Sequence, residues 1–177
     1  MKEIRLDKTN SKIIGRSLIL GENRWVALSG AGVAFSFQGK YLKITLLGSN
    51  RSHVTEDDSE YARFAVLIDG IRVLDDVIDN PVKSYEILKE EQLKCCEIQI
   101  IKLSEAPMSA MAIAPIECDE EAVISPLAPK MHSIEFIGDS ITCGYGTDDL
   151  DLSHTFSTQT EDVTKAFAYK TAQLLGA

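Results

Sequence analysis

A serine in a small-residue turn is the chain's clearest instrument for covalent chemistry. The apolar run Ser133-Ile134-Glu135-Phe136-Ile137 stops at Gly138-Asp139-Ser140 and continues through Ile141-Thr142-Cys143 into Gly144-Tyr145-Gly146. An apolar strand that ends in such a turn lifts the next side chain to the end of a sheet, where open α/β sheets place their sites. A hydroxyl presented there attacks a carbonyl once a base takes its proton, which makes Ser140 the candidate nucleophile. A plain strand end with a polar turn would also spell Gly-Asp-Ser, so the weight rests on the wider nine-residue context.

The other reactive residue types are scattered. Cys95 and Cys96 are neighbours while Cys118 and Cys143 stand alone, which is no disulfide framework, and we read all four as reduced. No Cys-x-x-Cys pair exists and His53, His132 and His154 lie far apart, so no zinc spacing is present and no metal or cofactor is expected. Cys143 reads as a small, semi-buried packing residue. Asp148, Asp149 and Asp151 beside His154 are loop carboxylates with a single imidazole, a weak metal signal. The acidic stretch from Gly48 to Glu60 reads as a solvated loop lacking calcium-loop spacing. Asn50-Arg51-Ser52 matches the glycosylation triplet, which has no force without secretion.

A net charge of −9 over 177 residues argues against nucleic acid or an anionic membrane as partner. A neutral, sugar-like ligand fits better. The first residues form no signal peptide, and no apolar stretch nears the ~20 residues of a membrane-spanning helix. As written the chain is expected in the cytoplasm, or secreted if it is an excised piece of a longer protein.

These residues need elements to position them. From Lys12 to about Ser125 the chain alternates short apolar runs with Gly, Asn and Asp, the rhythm of a β-sandwich. Expected strands include Ile13 to Leu20, Gly32 to Gln38, Tyr41 to Leu47, Ala62 to Asp69, Ile71 to Ile78, Ser84 to Glu90 and Cys96 to Leu103. Asp69-Gly70 predicts a two-residue hairpin pairing two of them. We expect a mainly β chain: a jelly-roll-like sandwich over 1–125, a proline linker over 126–130, and a new α/β unit over 131–177. That unit comprises a strand at Ser133 to Ile137, a loop, and a helix from Thr160 to Leu175 capped by Thr160 and ended by Gly176, with Val163, Phe167, Thr171 and Leu174 near one face. Such a half-built unit needs either a second chain to complete it or a docking surface on the sandwich. Trp25, beside Arg24, is the candidate carbohydrate platform, and a non-catalytic sugar-binding sandwich is the rival to an enzyme.

The run Gly-Asp-Ser-Ile-Thr-x-Gly-x-Gly resembles the first sequence block of the SGNH, or GDSL-type, hydrolases, whose nucleophile is that serine. Preceded by a sandwich and linker, and followed by Phe156-Ser157-x-x-Thr160-Glu161-Asp162, it resembles carbohydrate esterase family two. The resemblance implies an N-terminal jelly roll joined to an SGNH catalytic domain, and a serine esterase that removes acetyl groups from plant-polysaccharide sugars. It implies that Ser140 is the nucleophile, that its amide donates to the oxyanion, and that Gly138, Asp139 and Gly144 shape the site. The family's later blocks, including the one with the catalytic histidine, have no counterpart in these residues. Asp151-Leu152-Ser153-His154 spells the Asp-x-x-His of that block but follows the nucleophile too closely, so His154 is expected to line a cleft or face solvent. The chain by itself is expected to be an inactive fragment.

Overall fold

The computed structural model describes residues 1–49, 58–151 and 153–177. The acidic loop, the Asn50-Arg51-Ser52 triplet and His53 lie largely or wholly outside those residues. Among the described residues, eleven strands form one antiparallel system. Two long strands organise it: β5 (Gly32–Gly48) and β8 (Val82–Lys102), paired from Gly32 against Ile101 to Leu47 against Val82. On its other edge β5 is met in turn by β2 (Lys12–Ile14), β11 (Val123–Pro126), β10 (Ile116–Cys118) and β9 (Met111–Ile113). β1 (Lys2–Ile4) extends β10, while β3 (Ser17–Leu20) and β4 (Asn23–Val26) extend β9. β6 (Arg63–Ile68) and β7 (Ile71–Val77) extend β8.

The expected separate strands on either side of Gly39 are one bent strand. Val33, Phe35 and Phe37 are buried at odd positions and Leu42, Ile44 and Leu46 at even ones. A period of two cannot change phase without an irregularity, and the register shifts between Gly39 and Tyr41. Asp119 holds that break by accepting from the amides of Lys40 and Tyr41 at 2.9 and 3.0 Å. A Cβ at Gly39 would lie 2.6 Å from the Phe37 ring and 2.8 Å from Asp119 Oδ1, so any side chain there would force the buried ring or the bulge's cap to shift. Both halves thereby send side chains into one core with Phe64, Ile98, Ile100 and Met111. Burying each such side chain contributes roughly 1.5–3 kcal/mol. Ser84 to Glu90 and Cys96 to Leu103 likewise join as β8, and Ile13 to Leu20 splits at Gly15, whose φ is +66°.

The Asp69-Gly70 hairpin forms as expected: φ is positive at both residues, and Ile68 pairs with Ile71. Two expectations for the C-terminal part fail. Residues 133–137 are not a strand; they run without ladder partners among the described residues, with Ile137 92% exposed. A strand exists only where a neighbour satisfies its amides. Nor is 160–175 one helix. Short 3-10 turns at Thr158–Thr160 and Val163–Lys165 precede α2 (Phe167–Leu174). Ser157 and Asp162 cap the turns in place of Thr160, and extended Ala166 (ψ 155°) separates them from α2. The expected apolar face is divided: Val163 is buried, whereas Phe167 and Leu174 are 56% and 89% exposed. Gly176 does follow the helix at φ +65°.

Candidate active site and its junction with the sandwich

Ser140 opens α1 (Ser140–Cys143), a single turn. Asp139 is its N-cap, accepting from the Ile141 amide at 3.1 Å, and the Asp139 carbonyl accepts from the amides of Thr142 and Cys143. Gly144 ends the turn at φ +89°, and its amide donates to the Ser140 carbonyl. A Cβ at Gly144 would lie 2.4 Å from the Asp162 carbonyl oxygen, and one at Gly138 would lie 2.1 Å from Thr142 Oγ1. Both glycines therefore permit close approach, and Gly144 also supplies the left-handed conformation. Ser140 itself is exposed to solvent.

His154 does not join Ser140 through hydrogen bonding. Its Nδ1 pairs with Asp149 at 3.0 Å, its Nε2 lies 3.6 Å from Asp151, and its side chain is 62% exposed. It faces solvent, as expected. Tyr145 and Phe156 stack at 4.5 Å, tying the loop after Gly144 to the segment before Thr158. Trp25 is half-buried on β4, opposite the exposed Leu18.

The residues missed in the sequence are those that fasten this turn to the sandwich. The Val163 amide donates to the Leu103 carbonyl at 3.3 Å, and Val163 packs with Ala65, Ile101 and Leu103. Around this contact runs a charged clamp. Arg63 on β6 grips Asp75 through two bonds of 2.9 Å and Asp148 through one of 2.8 Å. Arg72 on β7 reaches Asp162 at 2.8 and 3.2 Å and Thr164 at 2.6 Å. Lys165 completes the clamp on Asp148. Burial pushes the Asp162 carboxyl upward, but Arg72 and the Thr164 hydrogen bonds prevail and hold it below the usual range.

Behind the clamp lies a second polar group. Lys102 and Glu161 are both fully buried. Burial lowers Lys102 to about 7 against the opposing pull of Glu161 and Glu105. Burial also raises Glu161 above its ordinary value, and raises the Cys143 thiol, which faces Glu161, to about 12. Lys102 was legible in principle, since it continues the inward-facing series Ile98, Ile100 along β8. Glu161 and Asp162 instead follow the expected cap Thr160, where acidic residues suit a helix N-terminus and give no sign of burial.

The chain matches the family model for the carbohydrate esterase 2 N-terminal region over residues 13–129. It is 22% identical over 151 residues to Cellulase/esterase CelE of Acetivibrio thermocellus, covering 85% of this chain and 17% of that protein. A family two carbohydrate esterase from Clostridium thermocellum, solved in complex with cellohexaose, superposes with a TM-score of 0.79 at 20% identity, covering 93% of this chain and 48% of that one. An acetyl xylan esterase from Butyrivibrio proteoclasticus gives the same TM-score at 21% identity, covering 99% of this chain and 46% of that one. The chain thus spans about half of these solved structures and a smaller share of CelE, and the likeness in structure establishes the sandwich fold. The family match covers well over half of the residues, and the chain belongs to the carbohydrate esterase 2 N-terminal family.

Proposed function

We propose that this chain is the N-terminal part of a serine esterase that removes acetyl groups from plant-polysaccharide sugars, with Ser140 as nucleophile. The observation that supports this most is an exposed serine at the start of a one-turn helix, between glycines whose close packing fixes the turn, in a chain of this family. In the reaction Ser140 Oγ bonds to the acetyl carbon as a base takes its proton. The carbonyl π pair moves to oxygen, where the Ser140 amide would donate to the oxyanion. Collapse expels the sugar oxygen, which takes the proton from the base, and leaves acetyl on Ser140. Water then attacks the acetyl-enzyme by the same sequence and releases acetate. The base alone is worth about 10²–10⁴ in rate. His154 is bonded to Asp149 and turned to solvent, so the proposal assigns the base to the family's later histidine block.

The test is acetate release from acetylated xylo-oligosaccharides by a polypeptide of the relatives' length that carries these residues. Release that Ser140→Ala abolishes is expected. Equal release by that variant would contradict the assignment, and oligosaccharide binding with no release by either protein would favour a non-catalytic sandwich. The 177-residue chain alone is expected to show negligible hydrolysis of p-nitrophenyl acetate. Ser140-dependent turnover by it would instead make His154 or another group of this chain the base.

A further inference from the structure

Glu161 is fully buried, and neither of its carboxylate oxygens has a hydrogen-bond partner among the described residues. The Cys143 thiol and the Glu105 amide face it closely enough to favour its charged form, though less than burial disfavours it. Neither reaches hydrogen-bond geometry. Lys102 does not satisfy it either, since the Lys102 ammonium is directed to the carbonyls of Ser104 and Glu105 and to the Ser104 hydroxyl. A native interior rarely leaves a carboxylate in that condition, and an absent ion is one of the recognised reasons for it.

One of the Glu161 oxygens belongs to a cluster. One donor atom each from Glu105, Cys143 and Glu161 lies within 4.8 Å of the other two. The three residues come from separate places: the chain beyond β8, the end of α1 and the turn before Val163. Sequence spacing alone could not reveal them, which is why no metal was expected. We propose that Cys143 Sγ and the carboxylates of Glu105 and Glu161 bind one divalent transition cation of the zinc class, fastening the Ser140 turn to the sandwich.

The donor set selects the cation. One thiolate with two carboxylates is too soft for calcium or magnesium, which take six or more oxygens or keep their waters, and too oxygen-rich for copper(I). Zinc accepts sulfur and carboxylate oxygen together at roughly 2.0–2.3 Å, with water in the fourth position. These bonds would draw the three side chains together. The thiolate and two carboxylates carry three negative charges, of which the dication offsets two. On binding, the Cys143 S–H bond breaks, the metal–sulfur bond forms, and the proton leaves to solvent. No electron is transferred. The cation stands apart from the ester chemistry; the Cys143 thiol donates to the Ser140 carbonyl at 3.2 Å in the metal-free chain and gives up that bond when it ionises.

The experiment is a cobalt(II) titration of the reduced 177-residue chain at neutral pH, followed by displacement with zinc. One equivalent is expected, with the near-ultraviolet absorption of a cobalt thiolate and release of protons. Cys143→Ser should lose that absorption, whereas the Cys95→Ser/Cys96→Ser double variant should keep it. Glu161→Gln removes a buried group and can disturb the junction, so the half-buried Glu105 provides a second variant. Glu105→Gln is expected to weaken cobalt at least about tenfold, the loss that even an outer-shell partner causes, while the metal-free melting temperature stays unchanged. Absence of stoichiometric cobalt absorption, its survival in Cys143→Ser, or its dependence on Cys95 and Cys96 would overturn the proposal.

Discussion

At the scale of single residues, Gly144 bears the strictest demand in the turn. It needs a positive φ to end α1, and it needs no side chain because the Asp162 carbonyl stands where a Cβ would go. Backbone cannot swing aside as a side chain can. We therefore expect Gly144→Ala to destabilise the turn by about 1–3 kcal/mol, seen as faster amide exchange over 140–166 with the sandwich core unchanged. Gly138→Ala should cost less, because the atom it meets first is the Thr142 hydroxyl, the end of a side chain that can rotate. Equal effects at the two positions would contradict this reading of the turn. The sequence displayed these glycines plainly. What it hid was the reason for the second one, since Asp162 lies well downstream and its approach to Gly144 depends on how the later loop returns.

At the scale of elements, the C-terminal segment is held by β6 and β7 through their arginines and by Val163. Asp162 is fully buried while the Arg72 side chain keeps 26% of its surface exposed. Truncating the partner of a buried charge costs about 3–5 kcal/mol, but solvent screening of Arg72 moves the expectation to the low end or somewhat below. Arg72→Ala should thus release residues 158–166 to proteolysis at protease levels that spare the parent chain. Acid should do the same. Burial raises Asp148, but Lys165 and Arg63 outweigh it and leave its carboxyl below the ordinary 3.8. Its contribution is complete above that unfolded value and is lost as pH falls through the lower folded one. Pepsin cleavage of the segment that rises only below about pH 3.8 is the expected outcome; a rise beginning near neutrality would contradict it.

Legibility in the sequence divides along the same line. Where apolar runs flank an unambiguous turn, as in β6 and β7 about Asp69-Gly70, pattern and structure agree. The merging of β5 depended on Asp119 capping a bulge from far along the chain, and the helix expected from Thr160 gave way because Glu161 and Asp162 turn into the sandwich. The apolar run before Gly138 reads as a strand by composition, yet composition cannot supply the neighbour that would pair with it. Helix and strand signals are local; the clamp and the buried Lys102, Cys143, Glu161 group arise only from tertiary approach.

At the scale of the whole molecule, the sandwich does more than precede the serine. β6, β7 and the end of β8 supply the surface against which the turn and its following loop are set, so core stability and site geometry are linked. Phe35 lies fully buried where β5 meets β8 and β11. Phe35→Ala is expected to cost about 3–5 kcal/mol and to loosen residues 140–166 along with the sandwich, read by amide exchange; a sandwich that loosens while residues 140–166 keep their protection would contradict the linkage. The central claim concerns one oxygen, and it is tested most directly by trapping the covalent intermediate. A polypeptide of the relatives' length containing these residues is mixed with an acetylated xylo-oligosaccharide, quenched in acid within the first turnovers, and mapped by tandem mass spectrometry. The account predicts one acetyl group on Ser140, absent from the Ser140→Ala variant. Acetate release with the acetyl found on another residue, or undiminished in that variant, would contradict it.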